Sequence, residues 1–255
     1  SRRKNLNSLI TIPKNFVYTI FKILTSQKEF ILNSDKVICV SNFVKKNIAL
    51  ETGINKTKLS VIYNGVSGNN SVLESKEKTL LYVGRVEEEK GVLDLVEIFN
   101  NSISKRFPDF KLKILGSGSY LAKLQNKKKD LHLDGTVSVE GWKNGKEVRD
   151  IMGSSYVFTF PTKRIEGFPM TIIEALLSGL PVISIDKWGV SEGVIEGVTG
   201  ILCKNKFEFE QKLVKFLEDE SKMIRLSKSA REYALNNFTS DVMVEKYKTE
   251  LSKLI

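Results

Sequence analysis

From Thr79 onward, short apolar runs rich in β-branched residues alternate with longer stretches in which apolar positions recur at helical spacing. The runs Leu80–Val83, Leu112–Leu115, Val137–Val139, Val157–Phe160, Val182–Ile185 and Ile201–Leu202 are predicted strands, with helical patterns between most of them. Strand followed by helix, repeated, predicts an α/β fold: a Rossmann-like parallel sheet with helices on both faces. Ligands of such sheets sit beyond the carboxyl ends of the strands, where loops meet helix N-termini. Arg85, Gly116–Gly118, Trp142 and Lys163–Glu166 each follow a predicted strand, so the topology gathers them on that edge.

The first third of the chain has a different rhythm. Asp35–Ser41 is a predicted strand, followed by a helix from about Asn42 to Glu51, a second run Leu59–Tyr63 and the turn dipeptide Asn64-Gly65. Residues 67–78, with Ser-Gly-Asn-Asn-Ser ahead of a charged patch, have the composition of a linker. A final helix is expected over roughly Thr239–Leu254.

The string Glu166-Gly-Phe-Pro-Met-Thr-Ile-Ile-Glu174, continuing to Gly179 and Pro181, places two carboxylates around the start of a predicted helix over 169–178. Pro169 suits the first helical position, and Gly179 with Pro181 ends the helix. Glu166 then lies in the preceding loop and Glu174 in the second turn. The N–H groups of Met170, Thr171 and Ile172 point between them at the positive end of the helix dipole, a ready anion site. Carboxylates accept hydrogen bonds from hydroxyls while amides hold phosphate. By spacing alone, a solvated pair on a helix face is the favoured reading.

A second cluster, Gly84-Arg85-Val-Glu-Glu-Glu-Lys90-Gly91, comes straight after a predicted strand and opens a helix. Its two cations suit a leaving diphosphate whose charge grows in the transition state. An exposed helix start with scattered charge is the competing reading. Glu87–Glu89 fit a first-turn dipole role on a solvated face. Gly116-Ser-Gly118 is a short Gly-rich turn and by itself weak; Trp142 offers either a stacking ring or a core side chain. His132, the only histidine, lies in Leu-His-Leu and has the setting of a packed or surface residue rather than a base.

Composition narrows the class. The apolar and charged fractions, 41% and 27% of 255 residues, are those of a folded globular chain. No apolar stretch is long enough to cross a bilayer. Cys39 and Cys203 sit in apolar runs without metal or redox spacing, as buried free thiols of a reducing cytoplasm would. The net charge of +10 is spread along the chain without a nucleic-acid motif, so no nucleic-acid partner is expected. Ser1-Arg-Arg-Lys4 ahead of the mixed apolar stretch Phe16–Ile31 fits peripheral contact with an anionic membrane face, and a packed helix equally.

Taken together, the E-x7-E string and the G-R-(x)4-K-G element resemble the signatures of retaining glycosyltransferase family four (glycosyl transferases group 1), which has a two-Rossmann-domain (GT-B) fold. The likeness covers the C-terminal donor domain and the end of the N-terminal domain, where "D-x-V-I-x-V-S … V-I-x-N-G-V" leads across. It implies residues 1–66 as the remnant of an acceptor domain, 67–78 as linker, 79–238 as the nucleotide-sugar-binding domain and 239–255 as a helix crossing back. It implies a nucleoside-diphosphate sugar as donor substrate and no cofactor. Arg85 and Lys90 would meet the diphosphate and Glu166 the donor sugar near the reacting carbon. Glu174 would accept from the ribose hydroxyls, with Gly84, Gly116, Gly118, Trp142, Phe168 and the amides of Met170, Thr171 and Ile172 around the donor. The sequence departs from the family pattern where Pro169 replaces a frequent glycine, and where Trp188-Gly189 stands for Gly-Gly before Glu192.

No D-x-D motif occurs, so no metal site is expected and the cations with helix amides take its place. The resemblance implies a metal-independent retaining transfer to a glycan or lipid-linked acceptor in bacterial surface polysaccharide synthesis, in the cytoplasm or at the inner face of the plasma membrane. The first residue is Ser1, and little of an acceptor domain precedes the closing pattern, so most of that domain is expected to be missing through trimming or supplied by a separate acceptor-domain chain. A non-catalytic nucleotide-sugar-binding subunit and a sugar-nucleotide epimerase share this architecture and stay open at this point.

Overall fold

Strands buried on both faces must read as continuous apolar runs, and this explains why the sheet forms where it does. In the computed structural model, which describes residues 27–67 and 76–254, six strands make one all-parallel sheet. They are β3 (Thr79–Val83), β4 (Lys111–Leu115), β5 (Val137–Val139), β6 (Val157–Phe160), β7 (Val182–Ile185) and β8 (Gly200–Cys203). A separate parallel pair, β1 (Val37–Cys39) and β2 (Leu59–Val61), precedes them. The membrane-surface stretch at Ser1–Lys4 and Phe16–Ile31 falls outside the described residues up to residue 26, as do residues 68–75 of the linker.

The sheet order is β5-β4-β3-β6-β7-β8. The chain winds outward from β3 through β4 to β5, returns to lay β6 beside β3, and winds the other way through β7 to β8. Helices α2 (Val92–Ile98), α3 (Leu121–Asp130), α4 (Gly145–Ser154), α5 (Met170–Leu177), α6 (Lys206–Leu217) and α7 (Glu220–Asn237) follow or connect these strands. Side chains alternate across β3: Leu80 and Tyr82 enter one core with Leu95, Phe99 and Phe209, while Leu81 and Val83 enter the other with Ile172, Leu176 and Phe238.

The strand pair is shorter than its apolar pattern. Asp35–Ser41 reduces to Val37–Cys39 because Ser41 caps α1 (Asn42–Thr52), its Oγ accepting from the Val44 N–H at 3.1 Å. Both cysteines are buried and free.

The first third and the C-terminal end are joined by backbone bonds. Val66 N–H donates to Phe238 O at 2.9 Å, and Ser240 N–H to Val66 O at 3.0 Å, where α8 (Ser240–Leu251) begins. That helix lies along β2, with Ser60 Oγ donating to Glu250 at 2.8 Å. At the joint an aromatic knot packs Phe238 edge-on to Tyr63, Phe168 and Tyr233. Phe238 is fully buried, so Phe238→Ala is expected to cost about 3–5 kcal/mol of unfolding free energy. Urea denaturation checks this, and a loss under about 1 kcal/mol would mean that the knot does not hold the ends together.

Candidate functional site

An open parallel sheet that reverses its winding leaves a crevice at the reversal, beyond the carboxyl ends of the two strands that meet there. Here those strands are β3 and β6. The loop after β3 carries Gly84 and Arg85, then a short 3-10 turn (Glu88–Lys90) that Gly91 ends ahead of α2. The sequence places a helix directly on this loop; the structure interposes the tight turn, which holds Lys90 just ahead of α2. The loop after β6 carries Thr162 to Glu166.

Three strand-end loops are stitched by main-chain bonds. Gly84 N–H donates to Leu115 O at 3.0 Å, Gly116 N–H to Gly141 O at 2.7 Å, and Val86 N–H to Ser117 O at 2.9 Å. Gly116 has φ 141, and a Cβ there would stand 1.8 Å from Gly84 O, so this position requires glycine. Tyr82, a polar atom inside the apolar run of β3, donates its hydroxyl to Arg85 O at 2.7 Å and fixes the start of the loop. Burial, first, and the nearby carboxylates push the Tyr82 phenol well above its ordinary range, so it remains a donor.

Across the switch point the β6 loop is tied to the turn after β3. The amides of Lys163 and Arg164 both donate to Glu89 O, at 2.7 and 3.0 Å, and the Arg164 guanidinium pairs with the Glu89 carboxylate. Glu87 to Glu89 therefore do more than face solvent: Glu87 pairs with Arg85 at 2.8 Å and Glu88 accepts from the Tyr120 hydroxyl. Their work is to hold loops and cations in place.

The structure brings Lys90 and Glu166 together. Lys90 Nζ lies 2.5 Å from Glu166 Oε1, with side-chain exposures of only 12% and 15%, and Thr162 Oγ1 donates to the same oxygen at 3.4 Å. Lys90 also stands over the Phe160 ring, 5.8 Å from its centroid. Arg85 is 53% exposed and edges a cleft of about 250 Å³ that is also lined by Gly84, Gly116, Ser117, Trp142 and Val148. Trp142 is outside the core at 75% exposure, its ring free to take a planar ligand at the cleft mouth. Gly118 lies exposed in the same turn as Ser117.

At α5 the structure corrects three expectations. Pro169 is the N-cap residue, with φ −70 and ψ 116, rather than the first helical residue, because its extended ψ turns the chain before the helix starts. The Ile172 amide is not free: it donates to Pro169 O at 3.2 Å in a tight first turn, leaving Met170 and Thr171 as the leading amides. Phe168 does not face the cleft; its ring is buried, stacked on Tyr63 with centroids 4.8 Å apart. The Ile172 side chain is likewise core.

Glu174 is half-buried in the second turn of α5, and burial raises its carboxyl above the ordinary value of 4.5, while the Arg149 charge on α4 lowers it. His132 is an exposed turn residue with φ 54. Among the described residues, no three or more His, Cys, Asp and Glu side chains are gathered as metal ligands, and no helix is long and apolar enough to cross a membrane. Glu192, to which sequence reasoning assigned no role, accepts from the first two amides of α1. Nothing near it in sequence signals those partners, which lie about 150 positions away.

Comparison with known proteins bears on the fold that carries this site. The family model described as "Glycosyl transferases group 1" matches residues 68–233, and that described as "Glycosyltransferase Family 4" matches residues 15–68. The lipopolysaccharide 1,6-galactosyltransferase of Escherichia coli is 32% identical over 62% of this chain and 45% of its own length. The capsular polysaccharide biosynthesis glycosyltransferase CapM of Staphylococcus aureus is 27% identical over 91% of this chain and 64% of its own. The crystal structure of Anabaena HepE in complex with UDP shares the fold with a TM-score of 0.81 at 20% identity, over 96% of this chain and 70% of that one. The chain thus spans about half to two thirds of the length of the curated relatives that it matches.

A carboxylate whose pKa is raised on folding opposes folding wherever it is ionised, and the penalty vanishes as pH falls below its unfolded value. Glu174→Gln is therefore expected to raise the denaturation midpoint at neutral pH and to lose that gain in acid, below the ordinary value of 4.5. Urea titrations of both proteins at the two pH values check this. Equal stability at neutral pH would mean that burial of Glu174 carries no strain.

Proposed function

This chain belongs to the glycosyl transferases group 1 family, and from that premise we propose that it is the donor-binding half of a metal-independent, retaining glycosyltransferase. The donor is a nucleoside-diphosphate sugar, and a uridine diphosphate sugar is the first to test, because structures of HepE hold UDP and UDP-glucose. The acceptor class is a glycan or lipid-linked saccharide of a bacterial surface polysaccharide, in keeping with the names of the capsular and lipopolysaccharide relatives.

The observation that carries this reading is the Lys90–Glu166 pair at the sheet's switch point, beside the cleft of Arg85 and Trp142. An ammonium has three protons, and one bond to Glu166 leaves two for a diphosphate. Glu166, an acceptor only, can take donor-sugar hydroxyls with its remaining lone pairs. Because the pair is mostly shielded from water, it is positioned before substrate arrives and costs little reorganisation.

Arg85 is held differently. The guanidinium itself is half exposed, where an ion pair such as that with Glu87 contributes only ~0–1 kcal/mol, so it swings to a diphosphate at small cost. As the bond from the sugar carbon to the diphosphate oxygen breaks, charge gathers between Arg85, Lys90 and the leading amides of α5; the acceptor hydroxyl oxygen bonds to the same face of that carbon, and its proton passes to the departing diphosphate oxygen. Trp142 stacks on the base, and Glu174 accepts from the ribose, its ionised form favoured by Arg149.

Calorimetric titration with UDP-glucose, UDP, GDP and ADP tests the proposal. One nucleotide family is expected to bind, with Lys90→Ala and Arg85→Ala each weakening it by about tenfold or more, equivalent to about 1.4 kcal/mol. Unchanged affinity in both variants would contradict the assignment of the two cations.

A further inference from the structure

The first amides of a helix have no acceptor inside it, and at α1 each of the first three is accounted for. Val44 N–H goes to Ser41 Oγ at 3.1 Å, as an ordinary cap. The other two are taken from far along the chain: Asn42 N–H donates to Glu192 Oε2 and Phe43 N–H to Glu192 Oε1, both at 2.7 Å. The Asn42 side-chain amide adds a bond to Oε2 at 2.9 Å, and the Tyr63 hydroxyl another at 3.0 Å. Tyr63 is pushed up to about 12 by burial and then by this carboxylate, so its hydroxyl keeps its proton at neutral pH. One carboxylate thus receives four donors, all from the N-terminal segment.

Glu192 ends a 3-10 turn, Trp188–Glu192, that also touches the Glu166 loop. Gly189 N–H donates to Glu166 O at 3.0 Å, and its Cα lies so close to Gly167 that a Cβ would stand 1.9 Å from Gly167 O. Gly167 also faces α1, where a Cβ would stand 3.2 Å from Val44 Cγ2. The loop that presents Glu166 to Lys90 is therefore in contact with both α1 and the Glu192 turn. Next to it, Phe168 stacks on Tyr63, which itself donates to Glu192.

We propose that Glu192 is a positioning residue for the donor-sugar grip: by clasping the N-terminus of α1 it closes the turn onto the Glu166–Gly167 backbone and fixes the carboxylate of Glu166 against Lys90. The role in donor binding rests on the function proposed above; the clasp itself does not. Removing the Glu192 carboxylate leaves two helix amides without acceptors and frees the turn from α1. Because Glu166 is assigned to the sugar and not the nucleotide, the loss should fall on sugar nucleotides more than on the bare diphosphate.

Hydrogen exchange, read amide by amide by NMR on the full chain, separates a clasp from a simple helix cap. In Glu192→Ala the Asn42, Phe43 and Gly189 amides should all exchange at least about tenfold faster. UDP-glucose affinity should fall by about tenfold and UDP affinity by less. Tyr63→Phe, which removes only one hydroxyl and keeps the stacked ring, should move the same amides in the same direction by less, and serves if the alanine variant does not fold.

Faster exchange at Asn42 and Phe43 with Gly189 unchanged in both variants would overturn the proposal, leaving Glu192 as a cap alone. Failure of the parent chain to bind any sugar nucleotide would count against the donor reading, while Gly189 exchange would still decide the clasp.

Discussion

A parallel sheet whose winding reverses cannot cover the carboxyl ends of the two strands at the reversal, and everything proposed for this chain depends on that uncovered edge. β3 and β6 are those strands, and the loops after them face each other across the gap. Main-chain bonds fix the loops: Glu89 O receives two amides of the β6 loop, while Gly84, Gly116 and Val86 tie the β3 loop to the strands on its other side. Backbone bonds between the loops and the carboxylates of Glu87 and Glu166 together set where the cations stand.

The charges divide into two kinds on that frame. Lys90 and Glu166 form a shielded pair, and Arg85 with Glu87 forms a more exposed one. A shielded pair is organised in advance and suits a group that must stabilise charge as it develops; an exposed pair exchanges partners cheaply and suits one that follows the ligand in. Glu174 shows the same balance of burial and charge: burial raises its carboxyl above the ordinary range, and the Arg149 charge works against that burial. Half-burying a carboxylate costs stability, a cost that the proposed contact with the donor would account for.

Much of the sheet was legible because strands buried on both faces leave continuous runs such as Leu80–Val83 and Val182–Ile185, and turn glycines punctuate them. Strand ends were less so: Ser41 looks like strand by polarity pattern, but its hydroxyl serves α1. Pro169 was misplaced by one position because first-turn and cap positions differ only in ψ, which no residue pattern specifies for a proline. The site residues sat in readable motifs, yet their pairing was hidden. Lys90 and Glu166 are 76 positions apart, and Glu192 meets Asn42 across 150, distances over which only the folded sheet supplies the register. Phe168 belonged to the motif string but its ring is spent on the aromatic knot, a choice made by Tyr63 and Phe238 from the far ends of the chain.

The most direct test is to map backbone amide shifts of the labelled chain as UDP-glucose is added. The account predicts shifts running along one line through the loop after β3 at Gly84–Gly91, the turns at Gly116–Gly118 and Gly141–Lys143, and the Glu166–Glu174 segment. Saturable binding whose shifts spare the Gly84–Gly91 and Glu166–Glu174 segments would contradict the claim that the switch-point crevice holds the donor.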